Sequence, residues 1–413
     1  MKILTVIECF ARDPIENIAT CLSLKPDRLV LVGEADKLQN CDERYKSFLC
    51  GKSLKDVRVS LAYVKENDLQ DAVLVLSDIV EKGDDCVLDL WGGEEYILAA
   101  AGIIYERYKK THSISIQQFC SDKGMFCDLD GDGFVASGDM PKITVKELIS
   151  LYGGVVSPQK QQPERKYTAA DIAPLWSIVT KNPRAWNKKI SCLGEFEKHA
   201  GATPDSLSVR INFAQIKNSV SDFTQKKQHF DELISELSAC GAVKVHTKDF
   251  DNYHYSYKNL LIGHCLNGAG NLLEYKTLFE GRALEQNGTD FFNDCLMGVN
   301  IDWDGVVHPS YSPIKDTKNE IDCIFMHGLV PLFISCKNGK IGEAELYKLN
   351  TVAERFGGKH AKKMLVTTNF HADSEDTRRS VIQRADDMGI KFVPDIAGLN
   401  SQDWRSLLTD IFK

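Results

Sequence analysis

Apolar positions follow two alternating rhythms over the first hundred residues. Short apolar runs at 3–7, 29–32, 57–64 and 86–90 predict strands. Between them, apolar residues recur at helical spacing over 15–24, 43–50, 69–81 and 94–108. Strand and helix in strict alternation build a parallel sheet with helices on both faces, so this part predicts an α/β, Rossmann-like domain. Ligands of such domains sit at the C-terminal ends of the strands.

The rhythm then changes. Residues 128–139 place Asp128, Asp130, Asp132, Gly133 and Asp139 at the spacing of a calcium loop, but the last position carries Asp where a bidentate Glu is usual. Met125, Phe126 and Cys127 before it read as strand, so a hairpin is predicted, with calcium the alternative. A polar stretch at 157–165, with Pro158 and Pro163, reads as a linker. Residues 166–265 are mostly helical in pattern, with a helix over 230–240 ending at Gly241. Strands at 242–245 and 259–262 around an aromatic turn at 250–257 then suggest a winged-helix-like module. Tyr253, Tyr255 and Tyr257 either stack on bases or pack the core.

From 266 the order is helix, strand pair, helix, strand, helix, strand. Gly268-Ala269-Gly270 leads into a helix carrying Glu274, and Asp294 and an apolar run over 297–303 follow. Strands at 319–322 and 332–339 precede a helix opened by Glu343 and Glu345, with the stripe Leu346, Leu349, Ala353 and Phe356 and a stop at Gly357-Gly358. A strand at 363–368, a helix at 376–388, a strand at 390–394 and a helix capped by Ser401 complete the chain. Three domains are expected, over 1–156, 157–265 and 266–413.

Composition narrows the class. With 413 residues, 43% hydrophobic and 26% charged, the chain is ordinary for a soluble protein, and no run of about 18 apolar residues predicts a membrane span. The strand-like start is no signal peptide, and 13 cysteines without a CxxC pair predict reduced thiols and a cytoplasmic setting. A net charge of −8 disfavours a general nucleic-acid coat and leaves room for a local basic channel, for which Lys337, Lys340, Lys348, Lys359, Lys362 and Lys363 are candidates.

The chemistry concentrates in two places. The strand period of two puts Glu320 and Asp322 on one face, puts Ser335 and Lys337 on one face, and sends Ile321, Ile334 and Cys336 to the other. Acids and a lysine at neighbouring strand ends suit metal-assisted phosphodiester hydrolysis, although a plain surface ion pair has the same pattern. The arrangement resembles that of PD-(D/E)xK nucleases, with Ser335 where the second acid usually stands and Glu343 or Glu345 as its replacement. In the first domain, two strand ends are followed by ligand-type turns: Glu8-Cys9-Phe10-Ala11-Arg12-Asp13-Pro14, and Asp89-Leu90-Trp91-Gly92-Gly93-Glu94-Glu95. Neither a GxGxxG nor a GxxxxGK[ST] motif occurs.

Taken together, the Gly-Gly turn after the fourth strand, the helical middle and the GNLLE, NEID, SCKNG and ELYKL segments resemble the CARF-domain nucleases of type III CRISPR defence. Trp91 and Glu94-Glu95 depart from that family's commoner Thr-Gly-Gly-Thr-Lys turn. The resemblance implies a homodimer whose first domains bind one cyclic oligoadenylate, cyclic tetra-adenylate above all, and thereby activate cleavage of single- or double-stranded DNA or RNA. It implies Asp322 and Lys337 as the catalytic core, with Glu320, Ser335, Glu345 and Glu274 beside them. Mg²⁺ or Mn²⁺ is the implied metal, held by Asp322, Glu320, Asp294 and Cys336. The implied ligand contacts are Cys9, Phe10, Ala11, Asp13, Pro14, Ile15 and Asn17 in the first loop, Gly33, and Trp91, Gly92, Gly93, Glu94 and Glu95 in the turn. Two other readings stay open: a ligand-responsive regulator with an inactive nuclease domain, and a junction or end nuclease without nucleotide control.

Overall fold

Five strands rich in Val, Leu and Ile form the floor of the first domain: β1 (Leu4–Cys9), β2 (Arg28–Glu34), β3 (Arg58–Val64), β4 (Asp85–Asp89) and β5 (Ile114–Cys120). They run parallel in the order β3-β2-β1-β4-β5, and the antiparallel pair β6 (Met125–Asp130) and β7 (Gly133–Ser137) extends the β5 edge. Helices α1 (Ala19–Leu24), α2 (Cys41–Gly51), α3 (Leu69–Glu81) and α4 (Glu95–Tyr108) connect the parallel strands. The strand order reverses between β1 and β4, which opens a crevice at their C-terminal ends. The computed structural model describes residues 2–120, 125–130, 133–137, 140–157, 162–249, 251–306, 308, 318–372 and 374–413. The β6–β7 pairing, with Asp130 opposite Gly133, is that of the expected hairpin. Asp132 and Asp139 of the calcium alternative lie outside the described residues.

Helix α5 (Val145–Leu151) starts with a reciprocal cap between Thr144 and Glu147, and β8 (Val155–Val156) follows. This short strand pairs with the third domain's sheet, so the segment before the linker already belongs structurally to the C-terminal unit.

The middle segment contains α6 (Ala169–Lys181), α7 (Pro183–His199), β9 (Ser208–Asn212), α8 (Phe213–Ile216), α9 (Phe223–Ala239), β10 (Val243–Lys248), β11 (Asn252–Tyr257) and α10 (Leu260–Leu266). Its antiparallel sheet has the order β10-β11-β9. The expected strand at 259–262 is therefore a helix, capped by the Asn259 side chain, and the expected aromatic turn is strand β11. Tyr253, Tyr255 and Tyr257 are buried on the α9 side, and Tyr255 hydrogen-bonds Glu197 at 2.5 Å, so they pack the core and do not present faces to bases.

The third domain comprises α11 (Asn271–Arg282), the short pair β12 (Glu285–Gln286) and β13 (Thr289–Asp290), then β14 (Asp294–Asp302), β15 (Lys318–His327) and β16 (Val330–Lys337). Helix α12 (Glu343–Gly357), β17 (Lys362–Thr367), α13 (Glu375–Asp387), β18 (Ile390–Val393) and α14 (Ser401–Asp410) follow. The sheet order is β18-β17-β16-β15-β14-β8. One face packs on α11 and α14 through Cys323, Phe325, Ile334, Cys336 and Trp404. The other packs on α12 and α13 through Ile324, Phe333, Leu346 and Phe356, in an apolar cluster that continues into Val6, Ile15 and Trp91 of the first domain. The first and third domains thus share buried surface. Among the described residues, no helix is long and apolar enough to cross a membrane.

Candidate functional site

The antiparallel pairing of β15 with β16 ends at Cys323 opposite Ile334, and the strands fork beyond that point. Asp322 fills the fork. Its Oδ2 accepts hydrogen bonds from the Cys336 N–H at 2.7 Å, the Ser335 hydroxyl at 3.1 Å and the Lys337 Nζ at 3.2 Å. The carboxylate thereby satisfies a backbone donor that the ladder has released, which fixes it at the sheet edge. Gly298 of β14, with φ of 57°, sits opposite Asp322 between the pairs Met297–Cys323 and Val299–Ile321. A residue in that conformation breaks the pleat, and Ile321 packs in the α12-side cluster, contrary to the expectation from simple alternation.

Helix α12 closes the cleft from above. Its Gly342–Glu345 start brings Glu345 to 3.4 Å from Lys337, so the lysine is held between Asp322 and Glu345. Glu343 turns away and bonds the Ser380 hydroxyl of α13. Burial works against the Lys337 charge, but attraction to Asp322 and Glu345 outweighs it and holds its pKa above the usual lysine range. Glu320, Ile321, Asp322, Ser335, Lys337, Glu345, Lys348 and Leu349 line a cleft of only about 10 Å³. That is scarcely room for one water.

Three expected partners do not bring their side chains to this cleft. Glu274 is buried in the first turn of α11, near Cys323 on the opposite face of the sheet. Asp294 pairs with Met326, four positions along β15 from Asp322, and accepts the Val145 N–H that opens α5. Cys336 points its thiol into the α11 side, beside Thr277, and meets Asp322 through its backbone N–H alone. Carboxylates of Asp322, Glu345 and Glu320 with the Ser335 hydroxyl form an all-oxygen set, the donor chemistry that Mg²⁺ or Mn²⁺ takes. The residues therefore fit such an ion in kind, once the cleft is wider. Among the described residues, the group of three potential ligand atoms within 4.8 Å of one another is Asp302, Asp304 and His308, beyond the cleft at the end of β14.

The second site lies at the β1–β4 crevice. A cavity of about 750 Å³ is lined there by Phe10, Ala11, Arg12, Asp13, Pro14 and Glu16 of the first loop, by Gly93 and Glu94 of the turn, and by Arg44, Tyr152 and Gly153. Its remaining wall is Glu354, Arg355, Gly358 and Lys359 from the end of α12. The Asn17 amide braces the loop, accepting from the Ala11 N–H at 2.7 Å and donating to the Ala11 carbonyl at 2.8 Å. Glycine is required in the turn: a Cβ on Gly92 would lie 2.6 Å from both Ala11 Cβ and Glu16 Oε2, and Gly93 has φ of 119° against Cys9. The expected contacts Cys9, Ile15, Asn17, Gly33, Trp91, Gly92 and Glu95 are not among the residues that line this cavity. Gly33, for instance, leaves space for Phe10, whose Cβ lies 3.0 Å from where its own would be. Glu94 is neutralised by Lys37 at 2.7 Å.

The domain joint runs along one side of this cavity. Trp91 stacks on His360, with ring centroids 4.9 Å apart. Buried Glu16 lies 2.7 Å from both His360 Nε2 and Lys359 Nζ, and Asp13 accepts from the Lys359 N–H and the Tyr152 hydroxyl. The six lysines proposed as one basic channel are dispersed: Lys348 faces the cleft, Lys359 the cavity, and Lys363 bonds Asn350. Sequence reading missed Arg44, Tyr152 and Arg355 as cavity residues, because no local pattern marks them.

No protein-family profile and no curated protein matches the sequence. Solved structures do share the fold. Protein VC1899 from Vibrio cholerae superposes with a TM-score of 0.73 at 16% identity, over 99% of this chain and 98% of that one. Can2 from Sulfobacillus thermosulfidooxidans, solved in complex with cyclic tetra-adenylate, superposes with a TM-score of 0.63 at 15% identity, over 99% and 97%. The chain is thus similar to both in its whole domain arrangement.

Proposed function

We propose that the chain is a metal-dependent nuclease of type III CRISPR defence, switched on by a cyclic oligoadenylate, in first place cyclic tetra-adenylate. The observation that carries this reading is the convergence of Asp322, Ser335, Lys337 and Glu345 at a forked sheet edge. The cavity at the strand reversal and the likeness to cyclic-tetra-adenylate-bound Can2 support the nucleotide control. Asp322 and Glu345 would hold the ion. Bound Mg²⁺ or Mn²⁺ supplies Lewis-acid polarisation of the scissile phosphate and a more acidic water.

The side chains divide the remaining work. The Lys337 ammonium, set between Asp322 and Glu345, donates to a phosphate oxygen or orients the attacking water. Ser335 donates to Asp322 and fixes its rotamer. A cyclic, symmetric activator suits a two-fold homodimer, because each half of the ring meets the same residues.

The test is cleavage of plasmid, single-stranded DNA and single-stranded RNA by the pure protein, with each cation and with or without cyclic tetra-adenylate. Cleavage that needs both nucleotide and cation is expected. Equal cleavage without nucleotide overturns the control, and nucleotide binding without any cleavage favours a regulator with an inactive domain.

A further inference from the structure

The active cleft has two walls of different kinds. Glu320, Asp322, Ser335 and Lys337 sit on strands fixed by the sheet, whereas Glu345 and Lys348 belong to α12. A phosphodiester is larger than the water-sized space between them, so it can sit between the two walls only where they stand further apart. Helix α12 has 15 residues and so spans about 22 Å. Its far end, with Arg355, and the following Lys359 line the activator cavity. Lys359 is committed to Glu16, but exposed Arg355 forms no ion pair among the described residues and has only its neighbour Phe356's ring at 5.4 Å. A guanidinium with no ion pair among the described residues, in the wall of a cavity, is suited to a phosphate, which it grips with two parallel N–H donors.

We propose that Arg355 of the third domain is a direct phosphate ligand of the cyclic oligoadenylate, and that this contact shifts α12 and widens the cleft at Glu345. The inference rests on the nucleotide-controlled reading above. A ligand displaces an equilibrium only by its differential affinity for the two states, and a contact made by the moving element itself provides that difference. The stripe Leu346, Leu349, Val352, Ala353 and Phe356 holds the helix as one unit against the shared core, so displacement at Arg355 is carried to Glu345.

Calorimetric titration of the full chain with cyclic tetra-adenylate tests this, using Arg355→Gln and the charge-retaining Arg355→Lys. Because Arg355 is exposed, neither variant should unfold, and unchanged melting would confirm it. Wild type should bind, Arg355→Gln should bind about tenfold or more weakly, and Arg355→Lys should fall between. Amide hydrogen exchange over 346–356 should change on saturation in wild type and not in Arg355→Gln. Equal affinity of Arg355→Gln and wild type, or exchange in α12 that ignores the nucleotide, overturns the inference and leaves the functional reading standing. Absence of binding by wild type overturns both.

Discussion

Asp89→Asn should stabilise the protein, and do so more at neutral than at acid pH. Asp89 ends β4, opposite Glu8 on β1, and is buried beneath the turn that carries Gly92 and Gly93. It accepts from the Trp91 N–H at 2.7 Å and from the Thr20 hydroxyl. Burial raises its pKa from 3.8 to about 6, against those two donors and a hydrogen bond to Glu8, and burial raises Glu8 as well, with Asp89 adding to it. The folded state therefore binds the proton more tightly than the unfolded chain, and stability falls as pH rises from about 4 to about 6, then levels. The full shift corresponds to roughly 3 kcal/mol, of which about 1 has been lost by pH ~4.5 and all by pH ~7.5. Asparagine mimics the neutral acid: its oxygen can keep the Trp91 N–H, and its amide can donate to Glu8. Urea denaturation of both proteins at the two pH values should give the variant about 2 kcal/mol more advantage at the higher one. An advantage that is absent, or no larger at pH ~7.5, would refute the raised pKa of Asp89.

Replacing Lys337 by Ala, or Asp322 by Asn, should cut nucleotide-activated cleavage by about a hundredfold or more while nucleotide affinity stays at the wild-type value, as read by single-turnover assays and calorimetry. Glu345→Gln should lower cleavage about tenfold or more and Glu343→Gln by less than about twofold, since the first faces Lys337 and the second bonds Ser380; the reverse order would reject Glu345 as the second acid. Gly92→Val should cost about 1–3 kcal/mol in thermal unfolding and weaken cyclic tetra-adenylate binding, because its Cβ meets Ala11 and Glu16 at 2.6 Å; normal binding by a normally stable variant would remove the turn from the site.

The parallel sheet was legible because short strands rich in Val, Leu and Ile alternate with segments of helical spacing. Helix α3 falls on the expected positions, 69–81, and α4 differs by one residue at its start. The middle segment was harder. Tyr253, Tyr255 and Tyr257 alternate as a strand does, but the Asp and Asn residues around them suggested a turn, and Asn259 is a helix cap followed by apolar residues that a strand could equally carry. At the active cleft, the period of two was enough to unite Asp322, Ser335 and Lys337. It misplaced Ile321 because the disturbance comes from Gly298, on another strand. The sequence cannot say where an isolated carboxylate goes: Asp294 is drawn to the start of α5 by a free N–H 149 positions away. The cavity's fourth wall was invisible for the same reason, since Glu16 and His360 lie 344 positions apart.

Serine at 335 bears on control as well as on chemistry. A second acid on β16 would stand beside Asp322 on the same sheet, with both carboxylates held by the ladder whether or not an activator is bound. Ser335 adds a hydrogen bond to Asp322 and no charge, so the cleft's further carboxylates are Glu320, on β15, and Glu345, on α12 and 3.4 Å from Lys337. Under the proposed function, the acids are then divided between a fixed element and a movable one. The sheet positions Asp322 and Lys337 permanently, while the contribution of Glu345 depends on where α12 lies. The same helix ends in the wall of the nucleotide cavity and is tied to Glu16 and Trp91 through Lys359 and His360. On the same proposal, an acid carried by the helix would make assembly of the site depend on the state of the domain joint. Under the proposed function, a serine that reads in sequence as a weakened catalytic motif would couple catalysis to ligand binding.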